Sequence, residues 1–358
     1  MHDSEFESVA ISLLGELTDE GIFAVGGQLA IVVEGDFVVN VGVGKAGCGA
    51  EMTADALHNV YCIVKPMAYL LLGYALEAGG FGPDDPLDRM VDLPAWVPEG
   101  LTYRVLAAHE ADLAEPSAFL WRSTPAEQRQ ELLNGMSGNL GAGYSEIAGG
   151  LVVEHVIEEL SGQPSSLYCN EELLEPLGLA GEILIDPELA MAARSRIRVP
   201  VIGLPVDPLP MLTEFLPSRI REARLAMGAY ATMGGVARLL EAVGKVMAGS
   251  AQPGLPSPAL LRNLLDDGRP LRHDPVLNRP TKWAAGLMTD IDLQGISKAV
   301  GPGTVGHTAG LANSFALHDP NRRASLAVYL NGVGVEDDDH ILPRRKLLDE
   351  ILNAIPVV

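Results

Sequence analysis

At 358 residues, with 47% apolar and 20% charged side chains, the chain is long enough for one large domain or two ordinary ones and too apolar for a disordered polymer. Its formal charge of −22 would repel phosphate backbones and anionic bilayers, so neither nucleic acid nor a membrane is expected as a partner. Three cysteines, Cys48, Cys62 and Cys169, are too few for a disulfide scaffold and lack metal-type spacing, which fits free thiols in a reducing compartment.

Residues 1–20 mix acidic and apolar side chains without a basic start or a continuous apolar stretch, so no signal peptide is expected and the cytoplasm is the expected location. Helical apolar spacing over Ser8 to Leu17 is followed by two β-branched runs, Leu29 to Val33 and Phe37 to Val43. Glu34-Gly35-Asp36 joins them as a β-hairpin. The glycines of Gly42-Val43-Gly44-Lys45-Ala46-Gly47 lack the Gly-Lys-Ser/Thr ending of a phosphate loop and read as strand and turn. Met67 to Ala78 is apolar around most of a helix and stops at Gly79-Gly80.

Further helices are expected over Ile147 to Leu160, ending at Ser161-Gly162, and over Gly228 to Met247. Val199 to Pro217 is proline-rich and irregular, and Gly268 to Pro280 reads as a polar loop. Ser314 to Leu317 and Ser325 to Leu330 are strands around the turn-rich Asp319 to Arg323, and Leu342 to Ile355 is a closing helix. Strands at both ends around a helical middle predict an α+β fold. An antiparallel sheet flanked by helices would be built from residues 1–75 and 225–358, with a mainly helical subdomain from 76–224 and the site in the cleft between them.

The chemistry centres on Tyr61-Cys62-Ile63-Val64-Lys65-Pro66, where an extended approach enters a helix whose first turn tolerates Pro66. Cys62 at a helix amino terminus would meet unpaired N–H groups and the positive end of the dipole. Lys65 lies one turn on, along the same face. Alone, such a pair is more often an inert core cysteine near a lysine.

The wider pattern resembles the class C β-lactamases, related penicillin-binding proteins, and the esterases and transacylases that share their fold. That family starts its active-site helix with Ser-x-x-Lys, often followed by Pro, and then has a Gly-rich stop ahead of Asp-x-Pro. Here the equivalents are Cys62-Ile63-Val64-Lys65-Pro66, Gly79-Gly80 and Asp84-Asp85-Pro86. The family's Tyr-x-Asn is matched by Tyr144-Ser145-Glu146, followed by Ser161-Gly162-Gln163-Pro164 and Glu175-Pro176-Leu177-Gly178. Its Lys-Thr-Gly or His-Thr-Gly strand is matched by Gly306-His307-Thr308-Ala309-Gly310, and the likeness covers about Leu29 to Asn331.

The resemblance implies an acyl-enzyme mechanism. Cys62 would attack a carbonyl, Lys65 and Tyr144 would share the proton transfers, and the backbone N–H groups of Cys62 and Gly310 would form an oxyanion hole. Glu146, His307, Thr308 and Ala309 would line the substrate site. Four of these positions depart from the family pattern: serine has become Cys62, asparagine Glu146, the strand lysine His307 and the motif glycine Ala309.

A thiol ionises more readily than a hydroxyl and yields a thioester, which suits transfer to an amine. Loss of the strand lysine argues against β-lactam turnover. Near Lys65, Glu146 would hold the ammonium charged unless it is protonated or turned away, and the residue pattern leaves both arrangements open. The expected function is that of a transacylase, or an esterase or amide hydrolase, acting on a small ester, thioester or amide, with an amine or alcohol as acceptor in the transfer case. A β-lactam hydrolase or binder and a non-catalytic binding protein are the alternatives. Eight scattered histidines give no metal-ligand spacing, and neither a metal nor another cofactor is expected.

Overall fold

The computed structural model describes residues 3–19, 25–47, 50–114, 140–198, 224–226, 228–309, 314–332, 338–355 and 357. Cys48, Gly310 and the segment from Val199 to Pro217 lie outside the described residues.

Strands from the two ends of the chain meet in one sheet. The amino-terminal hairpin, β1 (Gly26–Val33) and β2 (Asp36–Gly44), turns at Glu34 and Gly35, both at positive φ, 52° and 95°. This is the two-residue geometry whose twist matches that of paired strands, and glycine supplies the second position without strain. β1 then pairs antiparallel with β12 (Ala324–Leu330), from Gly27 opposite Leu330 to Val33 opposite Ala324. β11 (Ser314–Asp319), β10 (Val305–Ala309), β9 (Leu287–Thr289) and β8 (Trp283–Ala284) complete a seven-stranded antiparallel sheet in the order β2-β1-β12-β11-β10-β9-β8.

Alternate residues of the central strands feed two different cores. Leu29, Ile31, Leu326, Val328 and Leu330 pack with Leu14 of α1 (Asp3–Asp19) and with Leu347, Leu348, Ile351 and Leu352 of the carboxy-terminal helix. Ala30, Val32, Ala327 and Tyr329 face the larger core, which holds Met67, Leu71, Val236, Leu240 and Val243. Both faces are covered, which is why β1 and β12 read as nearly continuous apolar runs.

A small sheet of three short strands leads toward the site. β3 (His58–Asn59) pairs with β5 (Tyr230–Ala231), which also pairs with β4 (Ile183–Leu184). Beyond β3 a single 3₁₀ turn, Tyr61–Val64, runs into α2 (Lys65–Ala78). Pro66 sits in the first turn of α2, and the helix is buried along most of its length.

After the short α3 (Tyr103–Ala107), α4 (Ala148–Ser161) packs on α2 and ends at Gly162, left-handed at φ 71°. At Gly149, early in α4, a Cβ atom would fall 2.5 Å from the Tyr69 hydroxyl of α2, so the close approach requires glycine there.

Three sequence expectations are corrected. The helix expected from Gly228 is α5 (Met233–Met247), with β5 before it, because Thr232 caps the helix by accepting the Gly235 N–H at 3.0 Å. The polar loop from Gly268 to Pro280 holds β6 (Arg272–Asp274), which forms a hairpin with β7 (Arg279–Thr281). The closing helix, α6 (Asp338–Ala354), also starts earlier than expected. Among the described residues no helix is long and apolar enough to cross a membrane, and no group of three potential ligands could hold a metal ion.

Candidate active site

Cys62 sits in the 3₁₀ turn one step ahead of α2, rather than on the α-helix itself. The preceding residue, Tyr61, has φ 46°, a left-handed backbone that a bulky side chain adopts at a cost of about 1–3 kcal/mol. The turn is held by Tyr61 N–H donating to Asn59 Oδ1 at 3.0 Å and Val60 N–H donating to Ala229 O at 3.2 Å. The result is selective presentation. Tyr61, Ile63, Val64 and Lys65 are buried, while Cys62 alone within the turn is half-buried. Cys169, by contrast, is wholly buried and its thiol is pushed far up by that burial, so it is a core residue.

Lys65 is fully buried, and its ammonium donates to the backbone carbonyl of Glu146 at 2.7 Å. The same Nζ lies 5.4 Å from the centroid of the Tyr144 ring, a cation–π arrangement. Tyr144 is buried, and its hydroxyl makes no hydrogen bond of standard geometry. The nearby Cys62 nonetheless acts on its titration as a charge and as a hydrogen-bonding neighbour. Burial first, then Cys62 and the Glu146 carboxylate, hold the Tyr144 phenol well above its ordinary range. Tyr144 is therefore a protonated phenol at neutral pH. Glu146 thus meets Lys65 through its backbone carbonyl, while its side chain acts electrostatically on Tyr144.

The backbone beside Tyr144 is fixed from two directions. Its N–H donates to Asp274 Oδ2 of β6 at 2.8 Å, and Ser145 N–H donates to His109 Nδ1 at 3.1 Å. His109 therefore carries its proton on Nε2, and burial keeps it neutral, with its pKa well below the usual value. The ring of Tyr144 stacks on Trp283 of β8 at 5.2 Å between centroids, with 14° between the planes. His109 lies 5.0 Å from the Tyr144 ring and 4.7 Å from Trp283.

β10 packs against the turn that carries Cys62. His307 on this strand is buried, with its ring 5.7 Å from that of Tyr144. Its Nδ1–H donates to Thr308 O at 2.8 Å, since a carbonyl can only accept, and Nε2 is left buried without a partner. Burial first, then the Lys65 charge, lowers the His307 pKa to about 3, so at neutral pH Nε2 is an acceptor. Thr308 is half-buried, with its hydroxyl 3.9 Å from Met288 Sδ, and Ala309 is buried opposite Ser314.

Cys62, Lys65, Tyr144, Glu146 and His307 thus come from three separate segments to one place. The second oxyanion donor, Gly310, is outside the described residues. Sequence reasoning passed over His109, Asp274 and Trp283. None lies in a motif, and only the fold brings them to Tyr144.

A model of the Beta-lactamase family matches residues 16–350. No curated protein matched the sequence. Among solved structures, the chain is similar to a penicillin-binding protein homolog from Caulobacter crescentus at 20% identity and TM-score 0.72, covering 97% of this chain and 98% of that one. It is also similar to EstCE1, described as a hydrolase with promiscuous acyltransferase activity, at 18% identity and TM-score 0.75, covering 97% and 99%. A third is D-amino acid amidase from Ochrobactrum anthropi SV3, at 18% identity and TM-score 0.74, covering 98% of each chain. The family match spans nearly the whole chain and the solved structures share its fold end to end: the protein belongs to the Beta-lactamase family.

Proposed function

We propose that the protein forms an acyl-enzyme on Cys62 and acts as an esterase, amide hydrolase or transacylase on a small ester, thioester or amide. The observation that carries this reading is the strained turn in which Cys62, alone not fully buried, lies beside the buried Tyr144 phenol, itself under the Lys65 ammonium. The names of two structural neighbours, a hydrolase with promiscuous acyltransferase activity and an amidase, support the same reaction class.

The steps follow from the groups present. Cys62 loses its proton to solvent, and the thiolate is favoured by the Lys65 charge nearby. Its sulfur attacks the carbonyl carbon: a C–S bond forms and the carbonyl electron pair moves onto oxygen, toward the backbone N–H of Cys62. Collapse breaks the C–O, C–S or C–N bond to the leaving group, which takes the proton of the Tyr144 phenol. Water, or an amine or alcohol acceptor, then attacks the thioester and returns a proton to the Tyr144 phenolate. The C–S bond breaks and the thiolate is restored. His307 Nε2 accepts a hydrogen bond from the substrate or the incoming nucleophile.

Turnover of 4-nitrophenyl acetate by the wild-type protein and by Cys62→Ala tests this reading. The expected result is a loss of about 10³-fold or more in kcat/KM for the variant, as for removal of a covalent nucleophile. Equal rates in the two proteins contradict it.

A further inference from the structure

Arg279, on β7, has both Nε and Nη2 shut off from solvent and without a hydrogen-bond partner. These two nitrogens form one edge of the guanidinium, the edge that grips a carboxylate with two parallel N–H···O bonds. A guanidinium does not shed its proton, so the edge is a desolvated part of a charged group that no described residue hydrogen-bonds. Among the described residues Arg279 alone leaves two guanidinium nitrogens in this state. Arg322, by comparison, donates from Nε to Leu352 O at 2.9 Å and Ile355 O at 3.2 Å, and from Nη1 to Asp319 Oδ2 at 2.7 Å.

The position of Arg279 ties it to the site. It is the direct cross-strand partner of Asp274, so the two side chains leave the hairpin on the same face. Asp274 makes no hydrogen bond to this edge, and its carboxylate oxygens are engaged elsewhere. Oδ2 takes Tyr144 N–H at 2.8 Å, and Oδ1 takes the N–H groups of Val276 at 2.9 Å and Leu277 at 3.0 Å. The Arg279 charge is also felt at His307, after burial and Lys65. The unfilled edge therefore belongs to the neighbourhood of Tyr144 and His307.

We propose that Arg279 binds a carboxylate carried by the acyl donor, so that the substrates are esters or amides with a free carboxylate on the acyl chain. The inference rests on the acyl-enzyme reading for its meaning but is separately testable. A two-point guanidinium–carboxylate contact in a desolvated position favours the anionic substrate by about 10- to 100-fold.

The test compares mono-4-nitrophenyl glutarate with 4-nitrophenyl valerate, which match in acyl length and differ by a terminal carboxylate in place of a methyl. In the wild-type protein the kcat/KM ratio should favour the glutarate ester by about tenfold or more. Arg279→Met should cut that ratio by about 10- to 100-fold, and Arg279→Lys, which keeps the charge and loses the paired edge, should fall between. Free glutarate should bind the unaltered protein in calorimetry and lose binding in Arg279→Met. A ratio near one in the wild type, or one untouched by Arg279→Met, overturns the proposal.

Thermal melting separates a structural role. Arg279→Met should melt at the same temperature or higher, because the buried edge holds no hydrogen bond, and a large fall would also overturn the proposal. The two readings fail differently. Arg279-dependent glutarate binding without any Cys62 acylation would defeat the acyl-enzyme reading and leave this one standing. Acylation of Cys62 by the valerate ester, with no glutarate binding, would do the reverse.

Discussion

Tyr144 lies beside both Cys62 and Lys65, and in the proposed cycle its environment makes it a proton donor before it is an acceptor. A phenol held above its ordinary range by burial and by neighbouring negative charge gives up a proton only to a strongly basic acceptor, such as a leaving alkoxide or amide nitrogen. In the proposed cycle it does not begin as a base, which the ready ionisation of a thiol makes unnecessary. Tyr144→Phe should therefore lower kcat by about 10²–10⁴-fold. The loss should be larger for an amide or alkyl ester than for a 4-nitrophenyl ester, whose leaving group needs no proton. Because the hydroxyl makes no standard hydrogen bond, the variant should unfold within about 1 kcal/mol of the wild type in urea. Equal losses on activated and unactivated substrates would contradict the assignment.

At the scale of elements, the hairpin of β6 and β7 does more than its three-residue strands suggest. Asp274 accepts three backbone N–H groups, one of them from Tyr144, and so fixes the phenol's backbone from the far side of the chain. Asp274→Ala leaves the buried Tyr144 N–H without its acceptor and should cost about 1–3 kcal/mol of stability. It should also lower kcat more than it changes KM, with partial rescue by Asp274→Asn, which keeps one oxygen acceptor. An unchanged kcat at reduced stability would confine Asp274 to a structural role.

This hairpin was not legible in the sequence. Pro275 and Pro280 lie at its turn and in its second strand, and three residues are too few to display alternation. β8 and β9 escaped for the same reason. Of the strands that could be read, β1 and β2 are long and rich in β-branched residues, and β11 and β12 are apolar runs on either side of a turn-rich segment. Their ends moved by only a few residues, because hydrogen bonding continues past the last apolar side chain into Gly26, Gly27 and Asp319. α2 and α4 were legible from apolar spacing and from glycine stops. Cys62, Lys65, Tyr144 and His307 were legible only as motif positions, and their convergence depended on the fold. His109 carried no signal at all, since nothing near Ala107-Ala108-His109 marks a histidine that will hold Ser145.

At the scale of the whole molecule, burial of neutral histidines links stability to pH. His58, stacked on Tyr329 at 3.9 Å between centroids, and His307 are each lowered to about 3, His318 to about 4, and His109 well below its usual value, with burial the first cause in each. In the unfolded chain these groups titrate near 6.5. Below that pH the unfolded state takes up protons that the folded state refuses. The stability contributed by the neutral rings is thus whole above about pH 7 and is lost as pH falls from 6.5 toward 4. Each histidine contributes up to about 1.4 kcal/mol per pH unit in that window. Urea unfolding between pH 7.5 and 4.5 should show this slope, and His58→Phe, which keeps the stack on Tyr329, should flatten it by about one proton. A slope unchanged in that variant would contradict the account for His58.

The most direct measurement of the central claim is intact-mass spectrometry of the wild-type protein quenched seconds after mixing with excess 4-nitrophenyl ester, followed by peptide mapping. The account predicts one acyl group per chain, on the peptide containing Cys62, released by hydroxylamine and absent from Cys62→Ala. An acyl group confined to another residue, or turnover with no adduct at Cys62 under any quench time, would contradict it.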